Sequence, residues 1–124
     1  MEKSLGQKTW VIADGYLPVI SNGEFVSHES VCVLNTGNET ANIEITIYFE
    51  DREPMQGFEA VCKAKRTNHI RMEKIKDKFG KSIPRGIPYA IKVRSSYPLV
   101  VKHTRLDTSQ AELSLMTTMG YPLS

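Results

Sequence analysis

His103, Arg105 and Asp107 stand at alternate positions directly after the apolar run Pro98-Leu-Val-Val-Lys102. In an extended chain alternate residues point to one side, in steps of roughly 6.5 Å. Val101 and Leu99 occupy the two preceding positions of the same face. That face leaves a core and enters polar surroundings: a pocket, an interface or a buried salt-bridge network. Arginine beside aspartate with histidine nearby suits the hydroxyls and carboxylates of a small polar ligand such as a sugar. A buried Arg–Asp pair that fixes a corner or a subunit interface fits the same residues.

Two more polar rows carry similar groups. Thr67, His69 and Arg71 alternate with Asn68, Ile70 and Met72, and Ser27-His28-Glu29 precedes Asn35 by one short strand. The three histidines raise zinc chemistry, since three imidazoles with an open fourth position can activate water. No pair has HxH or HExxH spacing, so no metal is expected. Serines and threonines lie beside His28 and His103, but no GxSxG elbow is present. No glycine-rich phosphate loop occurs either. The chain is therefore expected to be non-enzymatic and to need no cofactor.

The positioning elements are strands. Ile43, Ile45, Ile47 and Phe49 alternate with Asn42, Glu44, Thr46 and Tyr48, the period of a strand with one buried face. Thr9–Ala13, Glu29–Leu34, Phe58–Ala64, Thr67–Met72, Tyr89–Ser95 and Leu99–Arg105 read as further strands, with a turn at Ser96-Tyr97-Pro98. Ala111–Met119 reads as a last strand. One helical turn is expected near Met72–Lys78, within a loop punctuated by Gly80, Pro84, Gly86 and Pro88. Seven to eight antiparallel strands with frequent turns predict an all-β sandwich, as one domain over 1–124. Trp10 is expected in the core, with the floor of a ligand pocket as the alternative.

Composition narrows the classes. Lys and Arg number 16 against 14 Asp and Glu. Nine of the basic residues fall between Lys63 and Arg85, with Glu73 and Asp77 among them. Such a run could meet an acidic partner, but a solvated lysine-rich loop is the commoner outcome. Phe79 is its one aromatic, so nothing beyond non-specific, salt-sensitive nucleic-acid binding is expected. No apolar stretch reaches a membrane span or a secretory h-region, so the expectation is a cytoplasmic chain. Cys32 and Cys62 are expected to be reduced core residues.

Several longer segments carry a family resemblance. Trp10-Val-Ile-Ala-Asp-Gly-Tyr-Leu-Pro18, Ser27-His-Glu-Ser-Val-Cys-Val-Leu-Asn35, Glu44-Ile-Thr-Ile-Tyr48, Arg66-Thr-Asn-His-Ile-Arg71 and His103-Thr-Arg-Leu-Asp-Thr-Ser-Gln-Ala111 resemble the Anabaena sensory rhodopsin transducer family. The likeness runs in order from about residue 6 to residue 119, and the basic loop Glu73–Pro88 departs from it. It implies a cytoplasmic β-sandwich that assembles as a homotetramer and belongs to a superfamily of suspected small-molecule binders, sugars among the ligands. Carried over by position, the implied polar residues are His28, Glu29, Asn35, Arg66, His69, Arg71, His103, Arg105, Asp107 and Gln110. Two alternatives remain: a transducer that binds the cytoplasmic face of a membrane photoreceptor or another protein, and an enzyme of carbohydrate metabolism.

Overall fold

The computed structural model describes residues 4–19, 27–107 and 114–123. Eight antiparallel strands make up the described fold: β1 (Gln7–Gly15), β2 (His28–Asn35), β3 (Ala41–Phe49), β4 (Met55–Cys62), β5 (Arg66–Arg71), β6 (Tyr89–Asp107), β7 (Ser114–Met119) and β8 (Tyr121–Leu123). They form a sandwich. One layer runs β4-β3-β6-β1-β8, and the other runs β5-β2-β6-β7. The expected all-β fold holds, and the chain adds the short strand β8, which sequence reading did not anticipate.

Strand β6 belongs to both layers. Its first half pairs with β1 and β3, and its second half with β2 and β7. The expected turn at Ser96-Tyr97-Pro98 is instead a bend within one continuous strand. The pairing of β1 with β6 jumps from Thr9↔Arg94 to Gln7↔Leu99, so extra β6 residues bulge out between Arg94 and Leu99. A bulge sharpens twist and bend without ending the strand. Gly6 sits against it with φ +102°, where an added Cβ would lie 1.9 Å from the Leu99 carbonyl oxygen.

Because the bend returns β6 across the core, its two halves face one another. Ile91 and Val93 from one half and Leu99 and Val101 from the other are all buried. The Ile43, Ile45 and Ile47 face is buried as alternation requires, and Trp10 lies in the core. The Trp10 indole N–H donates to the carbonyls of Gln7 and Leu99, both at 3.0 Å, which ties it to the bend. Cys62 is a core residue as expected, and burial pushes its thiol upward in pKa. Cys32 is a correction: alternation turns it to the outer face of β2, half-buried, with its Sγ 3.9 Å from the Thr104 hydroxyl.

The basic segment closes one end of the sandwich. Met72 and Ile83 are buried in the core and Ile75 packs against it, so only part of the stretch is a solvated loop. Lys74, Lys76, Lys78 and Lys81 are exposed. Arg85 donates to the carbonyls of Pro18 and Ser27, and Gly86 N–H donates to Leu17. The expected helical turn is confined to Arg71–Ile75, where Ile75 N–H reaches the Arg71 carbonyl. Asp77 then stops it by accepting from the amides of Phe79 and Lys81, an Asp-organised turn that competes with helix.

Candidate functional site

Glu29 is the centre of the polar cluster. On β2 the odd-numbered residues face the core, so Glu29 shares its side with Val31 and Val33, and it is fully buried. A buried carboxylate is costly unless donors surround it. Tyr89 Oη donates to Glu29 Oε2 at 2.8 Å, and His103 Nε2 lies 2.9 Å from the same oxygen. The backbone N–H of Tyr16 donates to Oε1, and Arg105 Nε lies 3.8 Å from that oxygen. A carboxylate can only accept, so His103 carries its proton on Nε2 in this arrangement.

The bend in β6 makes this possible. Tyr89 and His103 are fourteen residues apart on one strand, about 46 Å if it ran straight. Both reach a single oxygen of Glu29 because the strand folds back on itself. Burial, reinforced by the neighbouring carboxylate, drives the Tyr89 phenol far above its ordinary pKa. Arg105 also opposes that shift and Glu73 adds to it. Glu73 Oε2 pairs with Arg71 at 2.6 Å, its side chain only 9% exposed.

A cavity of about 100 Å³ opens beside this cluster, lined by Asp14, His103, Arg105, Met116 and Thr118. Its location follows from register: His103 pairs with Thr118 and Arg105 with Met116, so all four point to the same side. Asp14, near the end of β1, also lines the cavity. Arg105 also lies over the Tyr16 ring, 5.6 Å from its centroid.

Of the residues singled out in the sequence, Glu29, His103 and Arg105 converge. The backbone of Asp107 ends β6, but its side chain and all of Gln110 lie outside the described residues. His28, His69 and Arg71 alternate to the outer face of the second layer, opposite to the side that carries Glu29. Asn35 serves the fold: its amide donates to the carbonyls of Glu39 and Cys62, and its oxygen accepts from Gly37 N–H. Arg66 is exposed at the start of β5. Trp10 floors the core rather than the cavity.

Sequence reading missed Tyr89, Tyr16, Asp14 and Thr118. Tyr89 left a signal, because it shares the inward parity of Ile91 and Val93, and a buried phenol needs a partner. Among the described residues no three His, Cys, Asp or Glu side chains converge with metal-binding geometry. No described helix is long and apolar enough to cross a membrane.

The family model of the Anabaena sensory rhodopsin transducer matches residues 5–122. The chain belongs to that family. Among solved structures, the Thermotoga maritima 1070 protein is 40% identical and superposes with a TM-score of 0.85, over 95% of this chain and 96% of that one. The Anabaena sensory rhodopsin transducer itself is also 40% identical, with a TM-score of 0.75 over 83% of this chain and 100% of its own. No curated protein matches. In this chain the anchored Glu29 cluster lies beside a small cavity.

Proposed function

We propose that this family member is a non-enzymatic sensing domain that binds a small polar ligand, sugar-like or a related metabolite, in the cavity beside Glu29. The observation that carries the reading is the use made of Glu29. Its oxygens are occupied by Tyr89, His103, Tyr16 and Arg105, so it works as an internal anchor that fixes His103 and Arg105 at the cavity wall. Preorganised polar groups lower the ordering cost of binding. A thermal-shift panel of sugars, sugar acids, polyols and small metabolites tests it. A ligand at 100-fold excess over its dissociation constant adds about 2.7 kcal/mol. For a domain of this size that is a shift on the order of 10 °C. A shift present in the parent and lost in Arg105→Ala supports the reading; no shift from any compound contradicts it.

A second reading, a soluble transducer that docks on a protein, rests on another observation. Leu115, Met116, Met119, Tyr121 and Leu123 are all exposed along β7 and β8, the edges of the two layers. An uncharged apolar edge is a surface for association. Together with family membership it supports a homotetramer in the cytoplasm and docking on a membrane photoreceptor or a similar partner. Light scattering after size exclusion tests the assembly: a mass near the 14.0 kDa chain at micromolar concentration contradicts it.

A further inference from the structure

We propose, resting on the ligand-binding reading, that the cavity takes a small α-substituted carboxylic acid: a carboxylate with an ammonium or hydroxyl on the neighbouring carbon. Size is the first argument. A cavity of about 100 Å³ holds the equivalent of roughly three waters. Pockets for larger metabolites run to about 300 Å³ and above, so the cavity matches a two- or three-carbon acid, whereas a hexose would extend out of it.

Charge placement is the second argument. Arg105 turns Nε toward Glu29, 3.8 Å from Oε1, and its side chain lines the cavity. A guanidinium offers the fork geometry that receives a carboxylate in a bidentate fashion. Asp14 lines the same cavity, yet among the described residues no ion pair joins it to Arg105. Asp14, exposed to solvent, is the acidic group on that wall. A bare carboxylate would satisfy Arg105 and be repelled by Asp14. A neutral polyol would satisfy Asp14 and leave the guanidinium fork with weaker acceptors. A carboxylate with a donor on the next carbon meets both, and Thr118 adds a hydroxyl on the β7 side. The wider groove on the outer face of the first layer, about 690 Å³ and lined by Lys8, Asn42, Glu44 and Arg94, lacks such an anchored group.

The test compares melting shifts and calorimetric binding of the full chain with glycine, L-alanine, lactate and glycerate, against acetate, glycerol and glucose at matched concentration. Expected is a shift with at least one α-amino or α-hydroxy acid that acetate and glycerol do not reproduce. Arg105→Lys keeps the charge, removes the fork, and should weaken binding at least tenfold. Thr118→Val keeps a β-branched residue on an exposed strand and should weaken it several-fold, which covers the case of a poorly folding Arg105 variant. Asp14→Asn separates the two sources: loss confined to the amino acids identifies the ammonium, and equal loss identifies the hydroxyl. An equal response to acetate, or an Asp14→Asn variant indistinguishable from the parent, overturns the proposal. So does a response to glucose or glycerol alone, which leaves the ligand-binding reading standing. Silence across the whole panel overturns both.

Discussion

Replacing Glu29 by glutamine changes one oxygen for an amide nitrogen and should cost far more than its shape suggests. If the amide oxygen keeps the site shared by Tyr89 and His103, the new NH₂ faces the Tyr16 N–H and the Arg105 guanidinium. Donor then meets donor in a buried site, a penalty of about 1–3 kcal/mol. The bonds from Tyr89 and His103 lose their charge assistance, roughly half their strength. Arg105 loses its counter-ion, discounted because its side chain is 22% exposed. The sum is about 3–5 kcal/mol, the range found when one partner of a buried ion pair is removed. Against a total of about 5–15 kcal/mol that is a large share. Urea denaturation should show the midpoint falling by roughly 2 M at constant slope. A double-mutant cycle with Tyr89→Phe should give non-additivity above about 1 kcal/mol, because both changes act on one hydrogen bond. If Glu29→Gln stays within about 1 kcal/mol of the parent, the carboxylate is not the anchor of this cluster.

Two further outcomes follow from the same geometry. The Tyr89 phenol titrates far above the ordinary 10.0, so above that pH the unfolded chain gives up a proton that the folded chain keeps. Stability from this group is full below pH 10 and falls above it by about 1.4 kcal/mol per pH unit; Tyr89→Phe should lack that component, and a parent-minus-variant difference constant through alkaline pH would refute the assignment. Gly6→Ala would place a Cβ 1.9 Å from the Leu99 carbonyl at a positive φ and should cost more than about 2 kcal/mol in melting experiments; a neutral effect would mean that the bend in β6 is not braced there.

Much of the fold was legible because alternation reports burial directly. The isoleucines of β3, and the pairs Ile91, Val93 and Leu99, Val101 on β6, lie inside as their period requires. The change of character at His103 was legible for the same reason, and the structure places its imidazole against Glu29. What alternation does not encode is the fold-back of β6. Without it Tyr89 and His103 are distant residues, and the fourteen positions between them hide a shared oxygen. Periodicity is also indifferent to which face of a strand becomes the site. His28 sits next to Glu29 and therefore points the other way, and His69 and Arg71 lie on an outer face despite matching the family's pattern. Asp14 escaped notice because its role depends on the gap between β1 and β7, elements that come from opposite ends of the chain.

On the proposed reading, the cavity beside Glu29 receives a small polar ligand. Amide and side-chain NMR of the labelled full chain, titrated with the thermal-shift panel, tests it most directly. Expected are shift changes concentrated at Asp14, His103, Arg105, Met116 and Thr118, saturating with a single affinity. Changes centred on Glu44 and Arg94 of the outer groove, or no saturable change with any compound, would contradict it.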